Sequence, residues 1–233
     1  MRIKAKLGGS SSYDTDSFLN KRAVLPISVN QPYHENDKFN ATIAMVNKRF
    51  GYCDIVVADT LQRYNFFYGK EYSIEELYKI SKNEGDNWLK RNSRYLNLLS
   101  VPHSIIRWDD CIQLPTFPLF LNKIKDRYLH DPAYRDAFKQ DIDVFLTRYL
   151  QHNTRDNHDV VKNIEASCLA YLFEENAVVL SCFVENTYHF ILYPSKIPKS
   201  VSMSRDIFAT NTPELVQHLK IYFKACTPLP HST

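Results

Sequence analysis

The stretch AVLPISVNQPYHENDKFNATIAMVNKRFGYCDIVVAD, residues 23–59, decides the fold. Ala23 to Ser28 is a short apolar run of the kind that forms a buried strand. From Lys38 to Phe50, the residues Phe39, Ile43, Val46 and Phe50 recur at helical spacing, and Gly51 is a natural C-terminal stop. CDIVVAD, 53–59, reads as a second buried strand, with Asp54 and Asp59 bracketing four apolar residues. Strand, helix, strand predicts a parallel pair joined by a right-handed crossover. Between the first strand and the helix runs a polar loop with no glycine in it. Ligands of α/β proteins bind at such strand ends, so Ser28 holds a ligand, attacks one, or simply ends a strand.

Working outward, Ser73-Ile74-Glu75-Glu76 fits a capping box, and a long helix is expected from there towards Leu99, with Gly85 as a candidate interruption. SIIRW (104–108) is a candidate third strand. Asp131-Pro132 opens a helix to about Gln151. Asp159 to Glu174 is another, with Val160, Ile164, Cys168, Leu169 and Leu172 on one face. AVVLSCFVE (177–185) and TYHFILY (187–193) read as two more strands, and Thr212-Pro213-Glu214 as the start of a last helix. Such alternation predicts an α/β domain with helices on both sheet faces. The expected organisation is a loose lead-in over 1–20, one domain over 21–227 and a tail over 228–233.

Composition limits the chemistry. At 233 residues, 44% hydrophobic and 24% charged, the chain suits one globular domain. The net charge of +3 means that any nucleic-acid contact must come from a local patch. Five cysteines without a C-x-x-C argue against a disulfide framework and a thiolate zinc site. The basic N-terminus lacks the apolar stretch of a signal peptide, and no apolar run approaches the roughly 20 residues that span a bilayer. The expectation is therefore a soluble cytoplasmic protein. None of the five glycines falls in a phosphate loop or a G-x-G-x-x-G turn, and no H-E-x-x-H spacing occurs. A reaction here would run on side chains and an already activated substrate.

Two further features stand out. Residues 87–108 contain no acid, and Lys90, Arg91, Arg94 and Arg107 give the window a charge of +4. Lys90 and Arg94 share a helix face, with Lys79 and Lys82 upstream on the same predicted helix. Such a stripe suits a phosphate backbone, or is a solvated face. Tyr171 and Glu175 lie one helical turn apart, and a carboxylate beside a phenol can grip an ammonium or relay protons.

In combination these pieces resemble the cyclodipeptide synthases, which take two aminoacyl-tRNAs and release a cyclic dipeptide. ISVNQPYH matches the family's I-S-x-x-x-x-Y, and FGYCDIVVADT its F-x-x-x-D-V-x-x-x-D-T strand. Tyr171-x-x-x-Glu175 matches Y-x-x-x-E, and Asp126-Arg127 and Ser204-Arg205 are weaker matches. The resemblance spans residues 20 to 210. Tyr188-His189 and Tyr193-Pro194 are both candidates for the third tyrosine. Tyr193-Pro194 is chosen because Ile197-Pro198 and Met203-Ser204-Arg205 then fall in register, and Gln31 stands where the Tyr-His subgroup has Asn. Both point to the Tyr-Pro subgroup. Pro26, where members often have Gly, and Glu175-Asn176-Ala177 in place of E-x-P depart from the pattern.

The resemblance implies a Rossmann-like parallel sheet akin to the catalytic domain of class I tyrosyl- and tryptophanyl-tRNA synthetases. It implies Ser28 as nucleophile, Glu175 and Tyr171 on the substrate's α-amino group, and Tyr193 positioning the acyl group. Val24, Pro26, Val56 and Ile191 would line the aminoacyl pocket, with Gln31 and Tyr33 nearby. Lys79, Lys82, Lys90, Arg91 and Arg94 would carry tRNA. No cofactor or metal, no DNA and no membrane partner is expected, and the protein is expected to be a monomer. Two alternatives stay open: a serine hydrolase with His34 as base, and a non-enzymatic RNA-binding module.

Overall fold

The two strands at the head of the chain form because their alternate residues serve two different layers. In β2 (Arg22–Ser28), Ala23, Leu25 and Ile27 turn to one side of the sheet and Val24, Pro26 and Ser28 to the other. β3 (Tyr52–Ala58) does the same with Cys53, Ile55 and Val57 against Asp54, Val56 and Ala58. This is a computed structural model, and it describes residues 2–8, 18–65, 72–152, 158–209 and 217–226. Among these, β1 (Arg2–Gly8), β4 (Ile105–Arg107), β5 (Phe190–Tyr193) and β6 (Gln217–Cys226) complete one sheet in the order β1-β6-β5-β2-β3-β4. All neighbours are parallel except β1, which runs antiparallel to β6.

Helices cover both faces. On one side α1 (Asn36–Arg49) and α2 (Ile74–Leu96) bring Phe39, Ile43, Val46, Trp88 and Tyr95 onto Leu25, Ile27, Ile55 and Val57. On the other, α3 (Trp108–Ile112) and α6 (His158–Asn186) meet Val24, Val56 and Ile191 through Trp108, Val178, Cys182 and Phe183. An outer layer of α4 (Phe117–His130), α5 (Pro132–His152) and α7 (Lys199–Phe208) packs on the far side of α6 through Phe120, Ile124, Tyr134, Phe138, Leu172 and Leu180. The expected α/β architecture, a parallel sheet with helices on both faces, is what the chain adopts.

Four local expectations are corrected. AVVLSCFVE is the second half of α6, not a strand. Its apolar run is buried because the helix lies between sheet and outer layer, Val178 and Cys182 facing one and Ala177 and Leu180 the other. A helix enclosed this way loses its polar stripe, and a short apolar run then reads like a buried strand. The same enclosure explains why Val160–Asn186 is, against expectation, long and apolar enough to cross a membrane: 61% of its apolar window is buried inside the fold. The proposed last helix is not found in Gln217–Cys226, which forms β6 with Leu219 and Ile221 alternating inward; its expected start at 212–214 lies outside the described residues. Arg2–Gly8 is no loose lead-in but an edge strand held along β6, with Ala5 and Leu7 against the core.

Gly85 does not interrupt α2. The helix crosses so near β3 that a Cβ on Gly85 would sit 2.5 Å from the Asp59 Cβ. Asp59 is itself buried and ion-paired to Arg107, which also meets Asp86 at 2.7 Å.

Candidate active site

The cleft opens on the α6 face of the sheet, at the carboxyl ends of β2 and β5. Here successive strands run to opposite sides of β2, the switch point where α/β sheets hold ligands. Two features keep it open. β2 pairs with β5 only at Ala23 and Val24, and Pro26, two residues on, has no N–H to continue the ladder. Beyond that point Ser28 and Tyr193 face each other across the gap. The cleft encloses about 740 Å³ with its mouth, and its walls are almost wholly apolar. Val24, Pro26, Val56 and Ile191 all line it, together with Ala58, Trp108, Val178 and Val179. Gln31 does not: it is exposed at the entry of a 3-10 turn over Pro32–His34.

Ser28 Oγ lies 2.7 Å from the Tyr193 hydroxyl, which lies 3.0 Å from the Tyr33 hydroxyl. Burial, and then the neighbouring Tyr33, raises the Tyr193 pKa, so the phenol stays neutral and can donate to a negative oxygen. Tyr188, the rejected candidate, bonds Asp54 at 2.6 Å. The chain from Tyr33 through Tyr193 to Ser28 leaves no place for His34 as a base. His34 Nδ1 accepts the backbone N–H of Ser28 at 2.9 Å, and the ring is fully buried. Desolvation lowers its pKa to about 3, so it is neutral and its Nδ1 lone pair is already taken. This removes the structural basis of the hydrolase alternative.

Across the cleft, α6 presents Tyr171, Glu175, Val178, Val179 and Cys182 on one face, at helical spacing. Glu175 has no ion-pair partner among the described residues. Among them its carboxylate accepts one hydrogen bond, a long one from the Tyr171 hydroxyl at 3.5 Å, and its Oε2 is buried with no hydrogen-bond partner. Burial, with a smaller push from Asp141, raises its pKa to about 7. Glu174, one residue round the helix, is saturated instead. It takes the Trp108 indole N–H at 2.8 Å and the Tyr64 hydroxyl at 3.0 Å, and it pairs with Arg63. One carboxylate is structural and the other is poised for a cation.

The basic helix is less basic than its sequence. Lys79 pairs with Glu75 at 2.6 Å, Lys82 lies 3.6 Å from Asp109, and Arg91 binds Glu35 at 2.7 Å. Among the described residues only Lys90 and Arg94 of the five face solvent without a carboxylate partner, Arg94 lying over the Tyr95 ring. Of the weaker motif residues, Ser204 is hydrogen-bonded to the Tyr134 hydroxyl in the outer layer, and Arg127 forms a half-exposed ion pair with Asp131, one turn on at the end of α4. Sequence reasoning missed Trp108, Glu174 and the role of His34. The position of Trp108 directly after the third strand was a signal, since strand ends gather at the cleft.

No family model and no curated protein matches the sequence. Solved structures do. A cyclodipeptide synthase (CDPS) from Fluoribacter dumoffii is 32% identical, covers 96% of this chain and 98% of its own, and superposes with a TM-score of 0.89. A cyclodipeptide synthase from Candidatus Glomeribacter gigasporarum, bound to Phe-tRNAPhe, is 16% identical over 92% of this chain and 93% of its own, with a TM-score of 0.71. A Mycobacterium tuberculosis protein whose structure relates cyclodipeptide synthetases to type I tRNA synthetases is 12% identical over 86% and 85%, with a TM-score of 0.64.

Proposed function

The chain belongs to the cyclodipeptide synthase family, and we propose on that premise that it joins two aminoacyl groups, each delivered on tRNA, into a cyclic dipeptide. Ser28 Oγ attacks the ester carbon of the first aminoacyl-tRNA. The ester bond to the tRNA ribose breaks, the serine proton ends on the ribose oxygen, and an aminoacyl-serine ester remains. The amine of that ester then attacks the second aminoacyl-tRNA to give a dipeptidyl-enzyme. Its new free amine attacks the serine ester, closes the ring and restores Ser28. Ester exchange is near thermoneutral and each ester-to-amide step is downhill, so no ATP is consumed.

One observation carries this reading: a serine hydroxyl held by a neutral tyrosine faces an unpartnered buried carboxylate across an apolar cleft. Glu175 takes the α-ammonium, with Tyr171 beside it. Tyr193 donates to the oxyanion that forms on attack. The walls formed by Val24, Pro26, Val56, Val178 and Val179 suit an apolar first side chain, because a charged one would lose its hydration there without a partner. The contact of Tyr193 rather than Tyr188 with Ser28 supports the Tyr-Pro subgroup. We assign the protein to the cytoplasm as a monomer, with Lys90 and Arg94 meeting the tRNA backbone.

Intact mass spectrometry after mixing with charged tRNAs tests the reading. An added aminoacyl mass that vanishes in Ser28→Ala is expected. Its absence with all twenty charged tRNAs would sink the proposal.

A further inference from the structure

Arg91 was expected to bind tRNA, yet its guanidinium is committed elsewhere. Its Nη2 donates to Glu35 Oε1 at 2.7 Å and to Asn30 Oδ1 at 2.8 Å, and its Nε spans both Glu35 oxygens at 3.2 Å. Both partners belong to the loop between Ser28 and α1. That loop is bolted to α2 at three more points. Asn92 Nδ2 donates to Glu35 Oε2 at 3.0 Å, Asn30 Nδ2 to Glu84 Oε2 at 3.1 Å, and the Trp88 indole N–H to the His34 carbonyl at 3.0 Å. The loop bends at both ends: Asn30 and Asn36 take left-handed backbone angles, φ 66° and 51°, a region open to asparagine more than to most other side chains. Between them, His34 grips the Ser28 amide.

The geometry points to Arg91 as a positioning residue for Ser28: its fork to Glu35 and Asn30 ties the nucleophile loop to the helix that carries Lys90 beside it and Arg94 within the next turn. The inference rests on the reading of Ser28 as nucleophile. It makes α2 a rigid part shared by the tRNA-facing surface and the reacting hydroxyl. It also separates the two arginines of the stripe by task, Arg94 towards phosphate and Arg91 towards the loop.

Arg91→Lys is the sharp variant, because lysine keeps the charge a phosphate needs but loses the planar fork. Two quantities decide, with Lys90→Ala as the control expected to lose tRNA affinity. The first is hydrogen exchange of residues 28–36 in the enzyme alone. The second is the single-turnover rate of aminoacyl-Ser28 formation at saturating tRNA. Arg91→Lys should speed loop exchange by at least about tenfold and slow acylation by about tenfold or more, since displacement of a reacting group by an ångström can cost 10² in rate. Its tRNA Kd should stay within about twofold of wild type. Glu35→Ala should reproduce these changes, and the double variant should be no worse than either single. Unchanged loop exchange, with a Kd weakened in Arg91→Ala and restored in Arg91→Lys, would overturn the inference. If wild type forms no aminoacyl-enzyme but loop exchange still responds to Arg91→Lys, the nucleophile reading fails and the tether stands.

Discussion

Replacing Glu175 by glutamine should make the protein more stable and less active, and the stability half can be worked from the structure. The carboxyl is fully buried, has an orphaned oxygen, and titrates at about 7 rather than 4.5 because burial opposes its charge. A carboxyl with a raised folded pKa favours folding below its unfolded pKa. That contribution is lost as pH rises through the folded value, because the unfolded chain then gives up its proton more readily. With the two values 4.5 and about 7, wild type should lose about 2.5 kcal/mol between pH 5 and pH 8.5 from this group alone, at about 1.4 kcal/mol per tenfold. Urea unfolding at both pH values measures it. The midpoint of wild type should fall by about 1 M relative to Glu175→Gln across that interval, for a slope near 2–3 kcal/mol per M. A constant separation between the two proteins from pH 5 to 8.5 would refute the argument, since it would mean that Glu175 is paired or solvated. In the same variant, kcat/KM for aminoacyl-enzyme formation should lose its rising limb near pH 7, because glutamine cannot become the anion that holds an ammonium.

Tyr193→Phe removes the hydrogen bond to Ser28 and a donor to the forming oxyanion while leaving the ring against His34. Acylation at saturating tRNA should fall by about 10²-fold with the unfolding midpoint nearly unchanged, read by rapid quench and by urea titration. Gly85→Ala sets helix propensity, worth about 1 kcal/mol in favour of alanine, against a Cβ 2.5 Å from Asp59. Overpacking, typically about 1–3 kcal/mol, should outweigh that gain by a net of up to about 2 kcal/mol, and calorimetry should show a lower Tm.

The sequence carries a site well where its residues share one element or one face. Tyr171 and Glu175 are a helical turn apart, and Val24, Pro26 and Ser28 alternate along a strand, so each group can be placed before any tertiary contact is known. What the sequence hides is phase and distant company. Glu174 and Glu175 look alike until α6 turns one to Arg63 and the other to the cleft. Arg91 sits in a window without acids, and the acid it meets is Glu35, on a segment that folds over the helix. AVVLSCFVE is ambiguous for a related reason: the layers that enclose a strand and those that enclose a central helix ask for the same side chains. Pro26, a departure from the family pattern, becomes intelligible only once the ladder beside it is seen to stop.

The sheet order also dictates a schedule of assembly. Strands β2, β3 and β4 can pair as they leave the ribosome, and β5 can join at the free side of β2 once α6 is made. β1, which precedes the other described strands in the chain, has no neighbour in this sheet until β6 takes its place beside β5, and the register then joins Arg2 to Cys226. A chain emerging from the ribosome must therefore hold β1 unpaired until Gln217–Cys226 has been made, and it gains that edge only in a long-range closure of the kind that slows folding and leaves intermediates open to aggregation.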